Sequence, residues 1–334
     1  MGYESSNILS EEANIKDVIE FLKILNYEYI GVFKEKEIGY IKHFYWNEKK
    51  DYKSWYGIEL SIFISKHRIH VNTRTIINTS YFDIEYINKT IKLLKKNFGG
   101  EFITSYGKGR YLKPEIKKLE PSEAGCYLAC SDFGSNLMRA LLYFEKRIKN
   151  NNKTEKTNIW FMDKYNPNFL SNNFLITFLI SISENYWKST YVALLKYSSN
   201  KELILKENRI NAERLVLISN GQISVEDAFA ESISFARISS VCTNFQKLDK
   251  NIDFAKILNK PYKSKNVNVF DYLGEMTKIR NKIIHKPSNI FIVEDFEIKE
   301  FINIIQYSIV ECYKELTMVK GWIFDLPFTT NEIT

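Results

Sequence analysis

Cysteine, histidine, proline and glycine are all scarce in this 334-residue chain, and each scarcity excludes something. The four cysteines, Cys126, Cys130, Cys242 and Cys312, are too few and too scattered for a disulfide framework or a zinc ribbon. Only Cys126 and Cys130 lie close together, and no nearby histidine completes a set of four ligands. They read as reduced thiols, and neither a metal nor any other cofactor is expected. Six prolines and 13 glycines argue against a loop-rich fold and favour long helices. The longest apolar run, FLITFLISI from Phe174 to Ile182, is too short to cross a bilayer. The opening MGYESSNILSEE has no basic segment followed by an apolar one, as a secretory signal would. These absences lead to the expectation of a soluble, cytoplasmic protein with no membrane partner.

Apolar residues make up 45% of the chain and charged residues 26%, a globular composition, and the length suffices for two cores. The charge is unevenly spread. Residues 66–118 hold 12 Lys/Arg against 4 Asp/Glu, while the whole chain carries a net charge of only +7. One segment therefore carries the basic character. Within it, KHRIHVNTR and SYGKGRYLK interleave cations with aromatic residues. Lys66, Arg68, Arg74, Lys108 and Arg110 are candidate RNA contacts, or alternatively the solvated face of a sheet. His67 and His70 have no acidic or cysteine partner at ligand spacing, so metal binding there is not expected.

The N-terminal part reads as an α/β domain. Apolar residues in ANIKDVIEFLKIL recur at helical spacing. Four short runs rich in aromatic and β-branched residues follow near 28–34, 38–46, 57–65 and 68–76, separated by polar or glycine-containing turns. FDIEYINKTIKLLKKNF then predicts a helix closed by Gly99 and Gly100. A further strand or two is expected within 101–130, and NLMRALLYFEKRIK predicts a helix. The Asn/Lys-rich stretch 150–158 has almost nothing to bury and reads as a linker between domains 1–149 and 159–334.

Beyond it, only helices are expected. One spans about 170–197. Another starts at a capping box of Ser224 and Asp227 and carries Phe229, Ile233, Ala236 and Val241. A third runs from Val269 to His285 and a fourth from Asp295 to Lys320, stopped by Gly321. The predicted fold class is thus α+β: an antiparallel meander with helices, followed by an all-α bundle.

The third of these helices ends in IRNKIIHKPSN. Leu273, Met276 and Ile283 mark its buried face, and Arg280 falls on the same side by the helical period. An arginine facing a core or interface needs an anion or a carboxylate. His285 lies five residues on, about 140° away around an ideal helix, although Pro287 leaves the last turn free to distort.

This arrangement resembles the HEPN superfamily, whose nuclease members carry Arg, then a polar residue, then His in a helical bundle. RNKIIH fits as Arg280, Asn281 and His285. The resemblance extends over about 165–325: SISENYWKSTYVALL looks like the opening helix of such domains, with Glu184 at an acidic position that some members keep, and SFARISSVCTNFQKL looks like the helix before the motif. The sequence departs from one branch, paired with nucleotidyltransferase antitoxins, in having Pro287 where that branch has tyrosine. The N-terminal half resembles no family in particular.

The resemblance implies metal-independent RNA cleavage by 2′-OH attack, at a composite site in a homodimer. It also implies a toxin–antitoxin or abortive anti-phage setting, in which an antitoxin or a phage-derived trigger protein would be a partner. The chemistry is coherent on its own terms. Histidine suits proton transfer because its pKa lies near neutrality, and arginine offers a permanently charged fork to phosphate. One histidine cannot be base and acid at once, so two copies of the motif would be needed. Asn281 would orient His285 or hold a phosphate oxygen. The alternative is a non-catalytic dimeric scaffold that binds RNA or a protein partner, with Arg280 in a helix-end ion pair.

Overall fold

The computed structural model describes residues 2–35, 39–76, 78–149, 156–157, 159–207, 210–262, 268–285 and 291–329. The chain divides into two compact units, residues 1–124 and 125–334.

The first unit is built on one seven-stranded antiparallel sheet. Its strands are β1 (Glu4–Ile8), β2 (Glu28–Glu35), β3 (Gly39–Trp46), β4 (Ile58–Ser65), β5 (Arg68–Thr75), β6 (Glu101–Thr104) and β7 (Gly107–Lys108), in the order β2-β3-β4-β5-β1-β6-β7. The four runs read from sequence are β2 to β5, paired as a meander. Alternation sorts their side chains between two faces. Phe44, Trp46, Ile58, Leu60, Ile62, Ile69, Val71 and Phe102 are buried on one face, in a core shared with helices α1 (Ile15–Ile24) and α2 (Tyr81–Phe98). Those helices contribute Val18 and Leu22 from α1, and Ile84, Ile87, Ile91 and Leu94 from α2. Asn14 caps α1, and a Ser80/Asp83 capping box opens α2.

The second unit is helical. It contains α3 (Pro121–Lys149), α4 (Trp160–Tyr165), α5 (Pro167–Lys196), α6 (Lys201–Glu207), α7 (Ala212–Ser219), α8 (Val225–Ala230), α9 (Ile238–Leu248), α10 (Phe254–Leu258), α11 (Val269–His285) and α12 (Asp295–Lys320). The α+β class expected from the sequence is the class observed. α5 and α12 supply much of the core: Leu179, Tyr186, Trp187 and Tyr191 on α5, and Ile298, Ile302, Ile305, Ile309 and Leu316 on α12, are buried. Gly321, at φ 67°, gives α12 its left-handed cap.

Three features differ in detail from the sequence reading. The compact division falls in the first turn of α3 rather than at 150–158, most of which lies outside the described residues. α3 starts near residue 121, and its apolar side packs into the helical unit: Phe133 meets Tyr186 at 5.8 Å between ring centroids, and Cys126 Sγ contacts the Thr190 carbonyl. The region 101–130 holds the two short strands expected there, but the helix that follows starts earlier than NLMRALLYFEKRIK predicts. The helix expected from Ser224 through Val241 is broken at 231–237 into α8 and α9. Among the described residues, no helix is long and apolar enough to cross a membrane.

None of the four cysteines forms a disulfide, and all are buried. Burial raises the thiols of Cys130, Cys242 and Cys312, with Cys242 reaching about 12, so these are core groups rather than nucleophiles.

Candidate functional site

α11 forms where expected. Asn268 Oδ1 accepts the Asp271 amide at 2.7 Å and caps its start. Its buried side is Met276, with Leu273 and Ile283 partly covered. Thr277 Oγ1 donates to the Leu273 carbonyl and to Ala236 O, which ties α11 to the break between α8 and α9.

Arg280 is half-buried on the same side, and its charge is met by α5. Nη2 donates to both oxygens of Glu184, at 3.0 Å to Oε1 and 3.2 Å to Oε2, while Nη1 donates to Asn281 Oδ1 at 3.1 Å. Nε is buried without a hydrogen-bond partner. The side chains of Arg280 and Glu184 keep 19% and 26% of their surface, so the pair is sheltered but not sealed. Burial raises the Glu184 carboxyl above its ordinary value, and the Arg280 guanidinium opposes that rise.

The pair sits on the wall of an open cleft of about 530 Å³. Ser181, Glu184, Asn185 and Lys188 from α5 form one side, and Arg280 from α11 another. The third side is the 230–236 segment, including Glu231 and Phe235. The break between α8 and α9 thus makes one wall of the cleft. Lys188 Nζ lies 3.4 Å from Glu231, and Arg214 Nε, from α7, is 3.0 Å from the same carboxylate. Sequence reading missed Lys188, Glu231 and Arg214. The available signal was Lys188 one helical turn beyond Glu184, on the same face.

His285 is exposed on the last turn of α11. Among the described residues it has no hydrogen bond or ion pair, and none joins it to Arg280. The structure therefore brings together Arg280, Asn281 and Glu184, and leaves His285 beyond them at the surface. Pro287 lies outside the described residues. Beyond 290, α5 anchors the chain: Asn173 Nδ2 donates to the Phe291 carbonyl and Asn172 Nδ2 to the Val293 carbonyl, both at 2.7 Å.

The candidate RNA contacts lie in the sheet unit. Lys66 is exposed in the β4–β5 hairpin turn, with φ 48°. Arg68 pairs with Glu11 at 2.9 Å, Arg74 with Glu59 at 2.6 Å, and Lys108 with Glu101. Arg110 is exposed next to β7. The surplus counted over 66–118 is thus partly neutralised by carboxylates, and Glu11 and Glu59 come from outside that window. His67 sits in the same turn as Lys66, and the ring of His70 stacks on Phe63 at 5.0 Å.

No family model, no curated protein and no solved structure matches this chain.

Proposed function

We propose that the chain is a metal-independent endoribonuclease in which Arg280 and His285 act on the scissile phosphodiester. The observation that carries this reading is the sheltered Arg280 on a polar cleft, held by a carboxylate from another helix, with an exposed histidine at the end of its own helix. A half-buried guanidinium, fixed in place and always charged, suits the charge that builds on phosphorus during 2′-OH attack. Glu184 orients the fork, and Asn281 steadies it from the neighbouring position.

His285 supplies proton transfer near neutral pH. Each chain offers only one such histidine at this helix end, whereas cleavage needs a base for the 2′-OH and an acid for the leaving oxygen. A homodimer that sets two copies of the α11 terminus against one RNA strand meets that need. Phe174 and Phe178 on α5 and Ile284 on α11 are exposed, and offer apolar surface for such self-association. By its likeness to HEPN nucleases, the enzyme would serve in the cytoplasm as a toxin restrained by an antitoxin, or in abortive anti-phage defence released by a phage-derived trigger protein.

A second reading is favoured by one specific observation: Glu184 and Asn281 already occupy the outer nitrogens of Arg280. On that reading the helices form a non-catalytic dimeric scaffold for RNA or a protein partner. Labelled RNA incubated with the protein in EDTA separates the two. Cleavage lost in Arg280→Ala supports the nuclease, and RNA that is bound but uncut supports the scaffold.

A further inference from the structure

The Arg280 cleft holds a second cluster of charges that the proposed chemistry does not use. Arg280 is matched one to one by Glu184. Beside that pair the balance is uneven: Glu231, at the break after α8, meets Lys188 of α5 at 3.4 Å through Oε1 and Arg214 of α7 at 3.0 Å through Oε2. Two cations from different helices converge on one carboxylate, which leaves one positive charge over. Lys188 and Glu231 line the cleft. The side chains of Lys188, Glu231 and Arg214 keep 35%, 38% and 27% of their surface, so a ligand in the cleft reaches them. Lys188 lies one turn beyond Glu184 on α5, about 6 Å along the axis. That is comparable to the step from one phosphate to the next along an RNA strand.

Glu231 is the replaceable member of the cluster. It offers two oxygens that share one negative charge, as a phosphodiester does, and it stands where two cations would receive one. Its contact with Lys188 is beyond ordinary hydrogen-bond length, and ion pairs as exposed as these are weak. Arg214 has a separate anchor, since Nη1 donates to the Ala228 carbonyl at 3.3 Å. That bond holds α7 in place when the carboxylate swings out.

We propose that Lys188 and Arg214 form a second phosphate subsite, which holds the RNA phosphodiester next to the one at Arg280, and that Glu231 occupies this subsite until RNA displaces it. The inference rests on the reading of the cleft as an RNA site and extends it by one nucleotide.

Fluorescence anisotropy of a labelled single-stranded RNA tests it, on the full chain carrying His285→Ala so that the RNA stays whole. Lys188→Met should weaken binding about tenfold and make the dependence of log K on log salt shallower by about 1, as for one lost phosphate contact. Arg214→Met should act in the same direction; because Arg214 also anchors α7, Lys188→Met decides. Glu231→Gln keeps the size of the side chain and removes its charge, and should tighten binding at least threefold. Inorganic phosphate at the concentration of the RNA should leave the RNA bound. The opposite signs separate a phosphate subsite from a mere lock on α7, which Lys188→Met and Glu231→Gln would loosen alike. The proposal is overturned if the RNA does not bind, if Lys188→Met leaves affinity and salt dependence unchanged, if Glu231→Gln weakens binding or leaves it unchanged, or if inorganic phosphate displaces the RNA. None of these readouts involves cleavage. Failure here leaves the nuclease reading standing, and failure of cleavage leaves a scaffold that binds RNA through this subsite.

Discussion

Arg280 and Glu184, 96 residues apart in the chain, form a two-point ion pair across α11 and α5, with both carboxylate oxygens within 3.2 Å of one guanidinium nitrogen. The pair fixes the guanidinium where α11 faces the cleft. It also fixes what removing either partner should do.

Glu184→Ala leaves Arg280 half-buried with Asn281 as its remaining partner. A loss of about 1–3 kcal/mol is expected, because a partly desolvated cation is left unpaired. Urea denaturation of Glu184→Ala, Arg280→Ala and the double variant measures it. The double variant should be less destabilised than the sum of the single ones, since the two residues share one interaction.

The same pair gives a pH signature. Burial raises the Glu184 carboxyl, and Arg280 holds it down. Arg280→Met should therefore push it higher still, which carboxyl NMR titration can follow. A folded value above the unfolded one contributes stability that is present below the unfolded pKa and lost as pH rises through the folded value. The penalty of Arg280→Met should consequently be largest at neutral pH and shrink toward pH 4, where a protonated Glu184 needs no cation.

His285→Ala should change stability by no more than about 0.5 kcal/mol, because the ring is exposed and has no hydrogen bond or ion pair among the described residues. Thermal unfolding checks this. Any loss of function in the variant can then be assigned to chemistry rather than to folding.

Asp295→Ala should be far more damaging. Arg147 is buried between α3, α5 and α12, where Nη2 donates to Asp295 and Nη1 to Asn172 Oδ1 at 2.6 Å. Removing the carboxylate leaves a buried cation, at a cost of about 3–5 kcal/mol. Urea unfolding should show it, and Asn172 alone should not rescue the loss.

Strong periodicity made α11 and α12 legible to their ends, and alternation between turns revealed β2 to β5. β1 escaped because ESSNI carries no apolar alternation. It nonetheless lies inside the sheet, where Ser5 Oγ bonds Thr73 Oγ1 at 2.7 Å and Asn7 Nδ2 donates to the Val71 carbonyl, so its buried polar groups are satisfied by the neighbouring strand. The first half of α3 escaped for another reason. Small residues there allow close approach rather than marking a stripe, and a Cβ on Gly134 would meet the Phe328 ring at 2.4 Å. The break at 231–237 is the most consequential surprise. Phe229, Ile233, Ala236 and Val241 keep helical spacing across it, so nothing in the pattern showed that the helix stops and forms a wall of the cleft.

The candidate site was legible as residue types but not as a geometry. Arg280 announced itself as a cation on an apolar face, and the partner it required proved to be Glu184. Lys188, Glu231 and Arg214 could not be joined to it from sequence, since only tertiary packing brings α5, α7 and the broken segment to one cleft.

The most direct measurement is single-turnover cleavage of labelled RNA in EDTA by the full chain, with Arg280→Ala and His285→Ala alongside and the product ends identified. Cleavage that leaves a 2′,3′-cyclic phosphate and falls by about a hundredfold or more in each variant is expected, as for loss of an acid–base group or a charge-stabilising one. RNA left intact by the full chain, or cut equally well by both variants, would contradict the assignment.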